Sequence, residues 1–281
     1  MEPQIFQSRG LDLAASVWRS QSETPSATII LCHDAFGTKE HWGAFGPSLA
    51  AAGYLTLALD MEGHGESQGP RGHVHVKKWA EDILSVADQV ESKSLVLFGL
   101  GSGGSAALVA ASQDPRVKAL VLLSPRVRPW QMPFVTALFW QSLRIMGLLN
   151  RLVTRKDLRI SLVGVFGSLA LVKDQDTDEE LRNDPQFLEA INNIPVPGSW
   201  DSWFFNGLGP ARRLRAPSLI LHGQHDQINS ISNSQAFHQE LSSPSEMITL
   251  EESGHIIPLD GEREAALQQT LSWLEPHLPN G

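Results

Sequence analysis

The chain carries a single cysteine in 281 residues, and Cys32 sits inside an apolar run. That excludes a disulfide framework and a thiolate metal site. Basic charge is scarce: 22 Lys and Arg stand against 31 Asp and Glu, a formal net charge of −9. Such a surface argues against nucleic acid as a partner. The opening stretch MEPQIFQSRGLDLAASVW has no basic segment followed by an apolar one. No secretory leader is read there, and the expected location is cytoplasmic. Internal repeats and low-complexity tracts are missing. The stretch from Met132 to Leu149 is apolar, but Gln141, Ser142 and Arg144 interrupt it, which leaves it short of the ~20 residues a bilayer needs. It reads as a surface helix or lid. Convergent zinc-ligand spacing is also lacking, so neither a metal nor a cofactor is expected.

What remains is the composition of a folded globular protein, 42% hydrophobic and 19% charged. Its centre is the stretch from Ser94 to Leu108. An apolar run, Leu95 to Phe98, reads as a buried parallel strand. It breaks into a glycine turn and then into Ala-rich sequence that suits a helix. Strand, turn and helix gather backbone N–H groups and a helix N-terminus at one point, a good place to hold an oxyanion or a phosphate.

Two motifs compete for this turn. Gly99, Gly101 and Gly104 fit the dinucleotide fingerprint, which also needs an acidic residue closing the next strand. That strand, Ala119 to Leu123, runs into Ser124-Pro125 and offers no carboxylate. The second motif is the nucleophile elbow G-x-S-x-G. Gly99 and Gly103 are its small flanking residues, and the nucleophile position falls on Gly101. Sliding the frame to Ser102 would crowd Leu100 into a position that needs a small residue.

Along the chain, Ile5 to Gln7 and Leu11 to Trp18 flank a hairpin turn. Ala27 to Cys32 and Tyr54 to Leu59 are buried strands, while His41 to Ala52 and Lys77 to Glu91 have helical spacing. After the elbow and the strand 119–123, the alternation stops from about Pro125 to Gly209. It resumes with a strand at Ser218 to Leu221 and a helix at Ser230 to Leu241. Met247 to Leu250 is the last strand and Glu262 to His277 the last helix. This is an α/β chain with a mostly parallel, doubly wound sheet. Residues 1–125 and 209–281 form the expected core, and 126–208 is read as an insertion.

Ligands of such sheets bind past the carboxyl ends of the strands. Beyond the elbow, those positions hold His33-Asp34-Ala35, His222 to Asp226, and Ser253-Gly254-His255. Elbow, acid and histidine in this order suit a hydrolase, with His255 as general base and Asp226 fixing its tautomer.

On these residues the chain resembles the α/β-hydrolase fold, and within it the monoacylglycerol lipase or lysophospholipase-like serine hydrolases. The matching segments are Ser8 to Leu11 with Trp18, Asp60 to Ser67 with Gly69 to Gly72, and Leu122 to Pro125. Asp184-Pro185, Ala216-Pro217, His222-Gly223 with Asp226, and Gly254-His255 complete them. The most specific is G-H-G-x-S-x-G-x-R from Gly63 to Arg71. The resemblance implies Asp226 as acid, His255 as base, the N–H groups of Ala35 and Ser102 as oxyanion hole, and 126–208 as a helical cap. It also implies a small-molecule or lipid-like ester as substrate and lipid or peripheral membrane contact through the cap.

The sequence departs from that pattern twice. The oxyanion loop reads His33-Asp34, where a second carboxylate would oppose charge build-up unless it points away, as a loop cap facing solvent would. His33 is expected to brace the loop. More consequentially, the nucleophile position is Gly101, which offers no attacking oxygen. Three explanations stay open: a serine replaced by design in an ordinary esterase, a natural loss leaving a pocket that binds a small hydrophobic ligand, or slow hydrolysis by a water that His255 and Asp226 activate in the space at Gly101. The expected function is a carboxylic ester hydrolase altered at that position, which Gly101→Ser should restore.

Overall fold

The computed structural model describes residues 1–22, 24–90, 92–129 and 133–278. Among them the chain builds an eight-stranded sheet flanked on both faces by helices. Strands β1 (Glu2–Ser8) and β2 (Leu11–Trp18) form the opening hairpin, closed by Arg9-Gly10 with Gly10 at φ +79°. Then come β3 (Thr28–Cys32), α1 (Phe45–Ala51), β4 (Leu55–Leu59), α2 (Val76–Gln89), β5 (Leu95–Leu100), α3 (Gly101–Ala111) and β6 (Val117–Leu123).

Between β6 and the next sheet strand lie α4 (Phe134–Thr154), β7 (Leu158–Ile160), α5 (Val163–Phe166), α6 (Gln175–Asn183), α7 (Pro185–Asn192), β8 (Ile194–Val196), α8 (Trp200–Phe204) and α9 (Leu208–Arg213). The chain ends with β9 (Ser218–Gly223), α10 (Ile231–His238), β10 (Ser245–Leu250) and α11 (Arg263–Leu274).

The spatial order is β1-β2-β4-β3-β5-β6-β9-β10, with β1 and β2 antiparallel and the strands from β4 onward parallel. From β3 the chain steps one way to β4, and β5 lies on the other side. The switch point between β3 and β5 is therefore where the doubly wound rule puts a ligand crevice. Alternate residues feed the two faces. Ile30 and Cys32 point toward Trp79, Ile83, Val86 and Phe237 of α2 and α10, while Ile29 and Leu31 point toward Trp42, Phe45, Leu49 and Trp273. Every residue of α3 is buried, which explains its small Gly, Ser and Ala side chains: larger ones would push it off the sheet.

The expected elements recur with shifted ends. The helix read over His41 to Ala52 is two pieces, a 3₁₀ turn at Lys39–Trp42 and α1. Pro47 lacks an N–H and so is accommodated only in the first turn of α1. Two boundaries of the sequence reading, Glu91 for α2 and Met132 for α4, lie outside the described residues. The antiparallel pair β7–β8 was not foreseen; its three-residue strands are too short to carry a period. Among the described residues, no helix is long and apolar enough to cross a membrane.

Candidate active site

The turn from β5 into α3 decides the motif's frame. Leu100 is still extended (φ −95°, ψ 132°), Gly101 adopts φ +53°, and Ser102 is already helical. The strained residue is thus Gly101, and left-handed backbone of that kind favours glycine. The Ser102 side chain turns away and bonds Ser202 Oγ of α8 at 2.7 Å. Gly103 is glycine for a packing reason, since a Cβ there would strike the carbonyls of Cys32 and His33. That close approach lays the loop after β3 directly over the elbow.

Asp34 follows from it. Its Oδ1 accepts the Ser102 N–H at 2.5 Å, and its Oδ2 lies 3.2 Å from His255 Nε2. A Cβ built on Gly101 would collide with this carboxylate. Asp34 therefore fills the volume an elbow side chain would need. Of the alternatives left open by the sequence, two are removed: Asp34 is no solvent-facing loop cap, and the space at Gly101 is not free for a water. A serine at 101 likewise has no room beside Asp34.

Asp226 sits just past β9. Its Oδ1 accepts the N–H groups of Ile228 and Asn229, each at 2.8 Å, and its Oδ2 lies 2.8 Å from His255 Nδ1. His255 is set by its own backbone, whose N–H donates to the Leu171 carbonyl at 2.8 Å. The imidazole is thus held between two carboxylates. His33 braces the loop as expected: one ring nitrogen bonds the Asp34 carbonyl and the other accepts the Met61 N–H. Ala35 lies next in that loop, and its carbonyl is bonded by His64 Nε2 at 2.8 Å.

The charges follow from these contacts. Burial pulls the His255 pKa down, but the charge and hydrogen bond of Asp226 and the bond to Asp34 outweigh it and raise the value to about 10. Burial pushes Asp34 upward, yet its bond to His255, the His255 charge, the Ser102 N–H and Arg126 hold it well below the usual carboxylate range. Asp226 is likewise depressed against its burial, chiefly by the His255 charge and bond. At neutral pH the site is a carboxylate–imidazolium–carboxylate sandwich. An imidazolium cannot accept a proton, so this resting state lacks a general base.

Around it closes a small apolar cavity of about 20 Å³, room for one water. Asp34, His41 and His255 are its ionisable members; Leu100, Leu171, Phe187, Ile228 and Ile256 form its apolar wall. A larger polar groove of about 440 Å³ runs past Ala35, between Arg71 and Glu189, and contains neither His255 nor Asp226. Among the described residues no His, Cys, Asp and Glu cluster is arranged to hold a metal ion.

Comparison with known proteins places this geometry in a lineage. Residues 23–262 match the family Hydrolase_4, described as serine aminopeptidase, S33. The chain belongs to that family. An uncharacterized 31.7 kDa protein of Escherichia coli is 27% identical to this Hydrolase_4 chain over 271 residues, covering 89% of it and 91% of the relative. The monoacylglycerol lipase of Mycolicibacterium smegmatis is 24% identical over 292 residues, covering 96% and 95%. The crystal structure of Paleococcus ferrophilus monoacylglycerol lipase superposes with a TM-score of 0.74 at 22% identity, covering 99% of this chain and all of that one. The fold is the α/β-hydrolase fold, and the chain is a Hydrolase_4 member similar to esterases and monoacylglycerol lipases.

Sequence reasoning missed several residues of this Hydrolase_4 site. Ile228 and Ile256 were within reach, since they neighbour Asp226 and His255 in the chain. Leu171 and Phe187 come from the irregular stretch and carry no motif. His41 lies on the 3₁₀ turn, and its Nδ1 is buried with no hydrogen-bond partner.

Proposed function

We propose that the protein hydrolyses a carboxylic ester carrying an apolar acyl group. His255 and Asp226 serve as base and acid partner, the N–H groups of Ser102 and Ala35 as oxyanion donors, and residues 126–208 as the cap over the acyl chain. The observation that carries this reading is the 2.8 Å Asp226–His255 pair, held beside the elbow turn whose first helical N–H belongs to Ser102. Gly101 supplies no oxygen and Asp34 fills its space, so the attacking group is a water taken from the small cavity beside His255. Such sites retain on the order of 10³–10⁴ over uncatalysed hydrolysis, far below a full triad. Asp34 must leave the Ser102 N–H before a substrate carbonyl can take it, which slows turnover further.

The apolar acyl preference rests on the cavity wall and on α4, which exposes Phe134, Val135, Leu138, Phe139, Leu149 and Leu152. A face of that size suits contact with a lipid interface. The test is a p-nitrophenyl ester series from acetate to laurate, with His255→Gln as control. We expect slow turnover that rises with pH and is lost in the control. Equal rates with and without His255 would end this reading.

A second reading, binding of a small hydrophobic ligand without turnover, is favoured by the Asp34 carboxylate in the oxyanion position. Fatty acid or intact ester released from the purified protein, with no turnover of the series, would support it over the first.

A further inference from the structure

Charged His255 cannot act as a base at neutral pH, yet a second imidazole borders the same small cavity. Asp34 commits Oδ1 to the Ser102 N–H and Oδ2 to His255, while His255 commits Nδ1 to Asp226 and Nε2 to Asp34. Of the cavity's ionisable groups, His41 differs: among the described residues nothing bonds its buried Nδ1. Gly37 keeps that nitrogen open. It lines the cavity with His41, and a Cβ on it would lie 2.8 Å from His41 Nδ1, pressed against the ring edge. A buried nitrogen without a partner costs about 1–3 kcal/mol unless a water or a reacting group completes it. The cavity, of about 20 Å³, holds one water. We infer that His41 is the general base of this site, taking the proton of the attacking water at Nδ1, with His255 as its acid partner. This rests on the ester reading and deepens it, dividing between two rings what His255 alone would do.

The charges suit that division. Burial lowers the His41 pKa against the pull of Asp34, Asp184 and Asp60, so the ring is neutral at pH 7 and its lone pair is available. The neighbouring His33 ring is kept neutral by burial, its pKa lowered to about 3. Despite burial, His255 stays charged up to about 10 beside Asp226 and Asp34, and burial lowers the pKa of its other neighbour, His222. Two groups pushed apart in this way, one neutral and one charged at the same pH, are matched as base and acid. The Asp34 carboxylate is too weak a base for the task, being held well below the usual carboxylate range.

Atoms balance as follows. Asp34 withdraws from Ser102 and His255 as the ester carbonyl takes the Ser102 N–H. The Asp226 contact remains and keeps the proton on His255. The water oxygen bonds the carbonyl carbon while its proton passes to His41 Nδ1. Negative charge collects on the carbonyl oxygen, steadied by the Ser102 N–H and the imidazolium. The C–O bond to the alcohol then breaks, and His255 Nε2 gives its proton to the released oxygen. His41 returns its proton through solvent water to His255. Net, one ester and one water give one acid and one alcohol.

The experiment is kcat/KM for p-nitrophenyl butyrate from pH 5 to 10 in the wild type, His41→Gln and His41→Ala. In the wild type a limb is expected whose midpoint lies below ~6.5, where His41 loses its proton. A further rise toward pH 10 follows as uncharged His255 begins to act. His41→Gln should lose at least about 10²-fold at pH 7 and keep the rise toward pH 10. Added imidazole should restore the pH 7 rate of His41→Ala, which a merely structural His41 would not allow. Wild-type turnover by His41→Gln at pH 7 would overturn the inference and leave the ester reading standing. So would an equal loss at pH 7 and pH 10 with no rescue by imidazole. No turnover by the wild type at any pH would end both.

Discussion

At the scale of single residues, Gly101 and Asp34 behave as one unit. The sequence reading expected Gly101→Ser to restore an ordinary serine hydrolase. The collision with Asp34 forbids that, and a serine at φ +53° costs about 1–2 kcal/mol of backbone strain in addition. We expect Gly101→Ser alone to lower the melting temperature and to leave fluorophosphonate labelling at background. The pair Gly101→Ser with Asp34→Gly should label at residue 101, which peptide mapping reads directly.

His255 gives a second test. Its folded pKa of about 10 exceeds the ordinary ~6.5 of a free histidine, so its ion pairs stabilise the fold fully below pH ~6.5 and lose that contribution as pH rises through 10. Asp34 and Asp226 shift the other way and lose their contribution as pH falls below about 4. Melting temperature should therefore decline from pH 7 to 10, less steeply in Asp34→Asn. An NMR titration of that variant should place the His255 ring well below 10. Chain order put Asp34, Asp226 and His255 at strand ends. Whether Asp34 turned inward was beyond it, because a loop residue's direction depends on what packs beneath it, here the backbone at Gly103.

At the scale of elements, the inner parallel strands were legible because each is a largely apolar run buried on both faces, and the core helices because their apolar spacing is wide. The ends were less so. Pro47 and the short 3₁₀ turn at Lys39–Trp42 divide what periodicity merged. The opening hairpin is pinned to α2 by a contact that no pattern announces. Asp82, fully buried, bonds Ser8 Oγ at 2.6 Å and Arg9 Nη2 at 2.8 Å. Asp82→Ala leaves the buried Ser8 hydroxyl without its acceptor while Arg9 keeps Glu62, so the variant should destabilise by about 1–3 kcal/mol. Urea unfolding measures it. In contrast, Asp174 and Asp184 cap α6 and α7, accepting the N–H groups of Thr177 and Phe187 at 3.0 and 2.8 Å. Asp184-Pro185 is a helix start that sequence does announce.

At the scale of the whole molecule, the contrast is between a sheet covered on both faces and a helix left bare. α4 buries Gly147 and exposes most of its large apolar residues. Replacing Phe134, Leu138 or Leu149 with serine should change stability by no more than about 0.5 kcal/mol each. The same changes should reduce flotation with neutral vesicles. With a net charge of −9, attraction to anionic lipid should add little.

Sequence by itself determined the α/β architecture, the elbow's frame and the order of acid and histidine, since these are written in local runs, glycine turns and chain direction. Only the tertiary structure decided that the elbow's empty position is taken by Asp34. Residues 34, 101, 102, 226 and 255 meet across four strand ends, and the contact between them is made by packing that no single segment contains.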